Sequence, residues 1–131
     1  MNNRIFKHAD QVSGVGSLDP AAIFAELETC PPLMREEAQG PYLGRQVTWM
    51  LHFADGSTRQ GEAYLVFRVE GDGLRMITGT AALADYPWLK SLRANERVRV
   101  RGRIRRVGAL TIELGMLELE RPPRSIVPSN N

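Results

Sequence analysis

Between Arg97 and Arg106 the chain reads RVRVRGRIRR. Arginine alternates with Val98, Val100, Gly102 and Ile104, and no acid interrupts the run. A period of two belongs to a β-strand with one wet face and one dry face; a helix would scatter these side chains around its axis. The stretch therefore predicts a strand with Arg97, Arg99, Arg101 and Arg103 outward, and it needs a sheet to bury the other side. Such a face has two uses. It can meet phosphate, for which arginine is the better bidentate partner, or it can pair with acids on a neighbouring strand.

The same period recurs upstream. In GRQVTWMLHFADG, Val47, Trp49, Leu51 and Phe53 share one face and Gln46, Thr48, Met50 and His52 the other, with Asp55-Gly56 read as a turn. EAYLVFRVEGDG places Leu65, Phe67 and Val69 inward and Tyr64, Val66 and Arg68 outward. Gly71–Gly73 then predicts a tight hairpin into LRMITG. LADYPWLKSL predicts a helix of about ten residues, capped by Asp85, with Trp88, Leu89 and Leu92 on its apolar side. After the arginine strand, Gly108 turns the chain into ALTIELGMLELE. Its inward parity is even at Leu110, Ile112 and Leu114 but odd at Leu117 and Leu119. A change of parity takes one extra residue, which predicts a β-bulge at Gly115–Met116.

The first part of the chain has another character. Residues 1–17 show no period and read as a flexible arm. SLDPAAIFAELE predicts a helix: Asp19 caps it, Pro20 suits its first position, and Ile23, Phe24 and Leu27 share one side. Pro31 and Pro32 end it, and LMREEA allows one further turn before QGPYLG. The expected organisation is an arm (1–17), a helical extension (18–41), a five-stranded domain (42–120) and a loose Pro-rich tail (121–131).

Five strands with a helix between the third and fourth resemble the OB-fold, a small Greek-key barrel. The residues carry a closer likeness. Tyr42, Gly44 and Val47 match the Y-x-G-x-x-V pattern at the start of bacterial OB-fold domains of the tRNA-anticodon-binding-like kind. Leu92, Val98, Val100, Gly102, Ile104, Ile112 and Leu114 match the pattern of their last two strands. Asn95 stands where that family usually has glycine. The likeness covers about residues 42–120. It implies a mainly β, five-stranded barrel, with residues 18–41 as an addition to it.

Chemistry is sparse. One cysteine, Cys30, excludes an internal disulfide, and His8 and His52 have no Cys or His at metal-ligand spacing. GVGS (Gly14–Ser17) lacks the strand and lysine of a phosphate loop. Glu70 and Asp72 lie in a turn, where acids are ordinary, and no nucleophile–base pair is evident. The expectation is a protein that is not an enzyme and needs no cofactor. No apolar run reaches the ~18 residues of a membrane span, and no secretory leader is evident in residues 1–17, so the expected compartment is the cytoplasm.

Binding remains. Residues 1–43 hold three basic and six acidic side chains, residues 44–120 twelve and nine, so the barrel is the basic part. An OB-fold takes single strands across the outer face of strands one to three. The residues expected there are Arg45, His52, Tyr64, Arg68 and Arg75, extended by Arg99, Arg101, Arg103, Arg105 and Arg106 on the fourth strand. His52 equally suits a plain surface position. A register centred on Gly108 sets Arg103 against Glu113, Arg99 against Glu118 and Arg97 against Glu120. That ladder leaves only Arg101, Arg105 and Arg106 unpaired. The leading expectation is weak, sequence-tolerant binding of single-stranded DNA or RNA. The alternative is a protein-interaction or self-association module using the acidic helix or the outer residues Met50 and Val66. A third arrangement has the chain's own N-terminal helix cover those apolar groups, which would block the ligand face and count against nucleic acid.

Overall fold

The computed structural model describes residues 18–123; the predicted arm and most of the predicted tail lie outside them. Five strands close into a barrel: β1 (Gln46–Arg59), β2 (Glu62–Arg68), β3 (Met76–Ala82), β4 (Arg97–Val107) and β5 (Thr111–Glu120). Their order is β1-β2-β3-β5-β4, with β4 returning to β1. The β3–β5 pairing is parallel and the others are antiparallel. This is the predicted OB-fold. Val47, Leu51, Leu65, Phe67, Val98, Val100, Ile104, Ile112 and Leu114 fill the interior on the parities that the alternation assigned, and Ile77 of β3 joins them.

The β5 bulge falls where the parity change requires it. Arg101 pairs with Glu118 and Arg103 with Gly115, so Met116 and Leu117 stand against Gly102 alone. Met116 adopts φ +54 and is 79% exposed. The flip turns Leu117 inward between two strands. A Cβ on Gly79 would lie 2.6 Å from Leu117 Cδ1, and one on Gly102 would lie 2.9 Å from the Gly115 carbonyl. Two side-chain-free positions thus make room for one leucine where β3 and β5 diverge.

Several expectations are corrected. β1 does not end at Asp55-Gly56. It bulges between Phe53 and Asp55 and runs on to Arg59, and the hairpin closes at Gln60-Gly61. Both residues have positive φ, 53 and 82, as a two-residue type I′ turn requires. Gly56 instead serves close packing: a Cβ there would lie 3.2 Å from both the Phe53 ring and the Tyr64 carbonyl. The β2–β3 connection is not a tight hairpin, because Arg68 pairs with Met76 and residues 69–75 form a longer loop. The helix expected over LADYPWLKSL is two 3-10 turns, Leu83–Asp85 and Pro87–Ser91, without an Asp85 cap. Pro87 lacks an N–H and disfavours helical geometry at Tyr86, which sits at φ −139. Leu110 is exposed rather than inward. Arg121, assigned to the loose tail, is anchored: its Nε is 2.8 Å from the Glu96 carboxylate and its guanidinium lies over Trp88.

The helical extension folds as predicted and has a definite seat. Helix α1 (Pro20–Thr29) starts at Asp19, whose side chain accepts the Ala21 N–H at 3.0 Å. Ile23, Phe24 and Leu27 are buried in the same cluster as the barrel interior. Their burial contributes up to roughly 1.5–3 kcal/mol each. A second short helix, α2 (Arg35–Ala38), and a 3-10 turn at Gly40–Tyr42 lead into β1. Polar ties hold the extension where β1 and β3 begin and β4 ends. Trp49 Nε1 donates to the Leu18 carbonyl (2.8 Å), the Val107 N–H donates to Gln39 Oε1 (2.9 Å), and Arg75 pairs with Glu28. The extension therefore closes one end of the barrel and leaves the outer face of β1 and β2 to solvent.

Candidate functional site

The arginines of β4 stand beside β1, as expected, in rows fixed by the pairing. Arg103 neighbours Gln46, Arg101 neighbours Thr48, Arg99 neighbours Met50, and Arg97 neighbours His52. The last row runs on through Arg68 of β2 to Met76 of β3. Beyond the β1 bulge, Tyr64 lies between Ser57 and Thr80, half-exposed, with Val66 one outward position away. Arg45 precedes the sheet at its β1 end and is exposed. Arg45, His52, Tyr64, Arg68, Arg99, Arg101 and Arg103 therefore share one outer surface. Arg105 and Arg106 extend it at the far end of β4, where Arg105 forms a second bulge.

Arg75 does not belong to that surface. Its guanidinium pairs with Asp72 at 3.2 Å and with Glu28, and it lies 5.8 Å from the Phe24 ring centroid. Its Nε is buried without a hydrogen-bond partner. The residue expected to meet a ligand instead ties the β2–β3 loop to α1. Asp72 organises the same loop: its Oδ1 accepts the N–H groups of Leu74 and Arg75 at 2.9 and 3.1 Å. Those two donors hold its carboxyl below the usual carboxylate range.

The charge ladder exists, in a different register. Val107, not Ile104, is opposite Ile112, because β4 runs on past its own bulge before turning. The pairs are Arg99–Glu120 at 3.6 Å, Arg101–Glu118 at 3.3 Å and Arg105–Glu113 at 3.8 Å. All six side chains are well exposed, so each pair is worth at most about 0.2–1 kcal/mol. Arg101 and Arg105, expected to be unpaired, are paired; Arg97 and Arg103, expected to be paired, are not. Arg103 Nη1 donates to the Gly44 carbonyl at 3.1 Å. Among the described residues, Arg45, Arg97, Arg103 and Arg106 form no ion pair with a carboxylate.

Shallow grooves cut this surface, two of them along the rows shared by β4 and β1. One, about 370 Å³, lies over Thr48, Arg99, Arg101, Glu118 and Glu120. The other, about 390 Å³, lies where His52 and Arg68 meet the β2–β3 loop and Asn95. Asn95 takes φ +73, which accounts for its replacing glycine: asparagine tolerates the left-handed region better than most residues. Glu70 and Arg97 were not among the expected site residues. A sequence carries no sign that a loop acid and the first residue of β4 will flank one histidine. Among the described residues, no group of three or more His, Cys, Asp or Glu side chains is placed to hold a metal ion. Also among them, no helix is long and apolar enough to cross a membrane.

Comparison with known proteins identifies the architecture. No protein-family model matches the sequence, and no curated protein matches it. The structure is similar to that of a candidate nucleic acid-binding lipoprotein from Klebsiella pneumoniae subsp. pneumoniae MGH 78578. The TM-score is 0.59 at 15% identity, over 78% of this chain and 88% of that one. The shared feature is the fold. Weaker similarities reach a candidate aspartyl-tRNA synthetase from Leishmania major Friedlin (TM-score 0.49, 15% identity, 72% of this chain and 21% of that one). A replication protein A heterotrimer bound to ssDNA follows (TM-score 0.39, 20% identity, 63% and 60%). Neither of these two reaches the level that establishes a common fold.

Proposed function

We propose that the outer surface of β4, β1 and β2 binds single-stranded nucleic acid with little sequence preference, by contact and without catalysis. One observation carries this reading. Arg97 and Arg103 stand on an open sheet face, and Arg45 just before it, with no carboxylate partner among the described residues, and Arg68 and Tyr64 continue that face. Unpaired guanidinium groups supply phosphate contacts, and an exposed tyrosine supplies a stacking surface. The β4–β5 ladder weakens the field without cancelling it.

The test is fluorescence anisotropy of a labelled oligothymidine at about 50 and 200 mM salt, where each lost phosphate contact lowers the salt slope by roughly 0.7 for single strands. Arg97→Ala with Arg103→Ala should weaken binding uniformly across sequences, and Tyr64→Ala should cost about 1–3 kcal/mol of stacking. Absence of binding at the lower salt concentration would overturn the proposal.

A second reading has its own observation. Leu33 is 97% exposed and Met34 47%, next to Glu36 and Glu37 in the helical extension. That is the contact a self-association or protein-binding module would use; Met50 and Val66 are already half-buried in the sheet. A mass that rises with concentration, lost in Leu33→Ser, would favour it.

A further inference from the structure

The groove beside His52 offers both kinds of hydrogen-bonding group. His52, Arg68, Glu70 and Asn95 line it, with Gly71 and Asp72 at the loop turn, around about 390 Å³. That lies within the roughly 300–1,000 Å³ of small-ligand sites. Two acids line it, and they are not equivalent. Asp72 is committed to the backbone N–H groups of Leu74 and Arg75 and to the Arg75 guanidinium. Glu70 is 77% exposed, and the nitrogen that approaches it is His52 Nε2, at 3.8 Å.

The histidine ring fixes what Glu70 meets. His52 Nδ1 lies 3.2 Å from the Asn95 carbonyl. A carbonyl only accepts, so in a neutral ring this hydrogen bond takes the hydrogen on Nδ1, and Nε2 then has none to give Glu70. Arg68 uses Nη1 on the Gly73 carbonyl at 2.8 Å, which leaves Nη2 and Nε as donors. The groove thus presents a carboxylate with open acceptor capacity beside a guanidinium with open donors. It lies at the end of the arginine rows rather than among them. A carboxylate repels phosphate, so at this place it suits a base and not the backbone.

We propose that this groove takes a guanine base of a bound strand, with Glu70 as the residue that selects it. The proposal rests on the nucleic-acid reading of the surface given above. Guanine presents two adjacent N–H donors, N1 and N2, and two adjacent acceptors, O6 and N7. A carboxylate accepts the first pair side by side, and a guanidinium donates to the second. Adenine and cytosine each offer one exocyclic amine and no second adjacent donor, and thymine offers one ring N–H. In an unpaired strand these edges are open to a protein.

The experiment uses the full chain and labelled oligothymidines of about twelve nucleotides, carrying one central guanine, inosine, adenine or cytosine. Anisotropy should show about tenfold tighter binding for the single guanine than for adenine, cytosine or thymine alone. Inosine, which lacks the N2 amine, should lose most of the gain. In Glu70→Gln and Glu70→Ala the guanine preference should vanish while oligothymidine binds as tightly as before or tighter. Equal affinity for all five probes overturns the guanine site and leaves the surface reading standing. So does a preference for another base, or a guanine preference that survives Glu70→Ala. If no probe binds, both fail. Glu70 is exposed on a loop, so both variants should fold, which circular dichroism checks.

Discussion

Arg101 and Glu118 face each other across the β4–β5 ladder, with Nη1 and Oε1 3.3 Å apart on the solvent side of the barrel. The pair adds little to stability, because both side chains are more than half-exposed. Its effect is electrostatic: Glu118 offsets one of the cations nearest Thr48. Glu118→Gln should therefore raise oligonucleotide affinity by about two- to fivefold at low salt. It should change unfolding free energy by under about 0.5 kcal/mol. Anisotropy and urea denaturation measure the two. Unchanged affinity would mean that Arg101 is not a phosphate contact.

Leu117 is held between two glycines, and the two should not respond alike to a methyl group. At Gly102 an added Cβ meets the Gly115 backbone carbonyl at 2.9 Å, which cannot swing away. Gly102→Ala should cost about 1–3 kcal/mol. At Gly79 the obstacle is the Leu117 side chain itself. The cost of Gly79→Ala should fall sharply in a Leu117→Ala background, a coupling that a double-mutant cycle in urea would show. Additive costs would contradict the packing described.

Gln60 and Met116 occupy the left-handed region at φ 53 and 54, and neither side chain suits it. Asparagine tolerates it, and Asn-Gly is the preferred type I′ pair. Gln60→Asn and Met116→Asn should each raise stability by about 0.5–1 kcal/mol, visible as a higher thermal midpoint. Met116 loses little packing, since it is 79% exposed.

Tyr42 sets an alkaline limit. Partial burial, then the Glu26 carboxylate that accepts its hydroxyl hydrogen, push its phenol up to about 12. In the unfolded chain a tyrosine ionises near pH 10. Between these values the unfolded chain gives up a proton that the native protein keeps. The stabilisation from this group is therefore complete below about pH 10 and lost as pH rises towards 12. Ultraviolet difference titration should show one of the three tyrosines ionising last, and that late step should vanish in Tyr42→Phe. The substitution should also cost about 1 kcal/mol at neutral pH.

Much of the barrel was legible because two-residue alternation has a single physical source. Val98, Val100 and Ile104 can share an interior only on a strand, and the shift of parity to Leu117 and Leu119 admits only an inserted residue. Asp19-Pro20 marked its helix for equally local reasons. The failures came where a residue serves something distant. Gly56 looked like a turn but makes room for the Phe53 ring. Arg75 looked outward by position but answers to Glu28 and Phe24 on a helix far away in sequence. The ladder register failed because the bulge at Arg105 follows from where β4 must place Val107, which is a property of the closed barrel. The candidate surface was mostly foreseen as a set of arginines. Which of them stay unpaired depends on that register and could not be.

The ties of the helical extension are all made to chain that comes later. Leu18 meets Trp49 across 31 positions, Glu28 meets Arg75 across 47, and Gln39 meets Val107 across 68. During synthesis α1 therefore leaves the ribosome with Ile23, Phe24 and Leu27 uncovered, and its seat is complete only once β4 has been made. The segment emerges before every strand it packs against and is among the last to dock. In that interval those three side chains are the nascent chain's exposed liability to chaperones and aggregation.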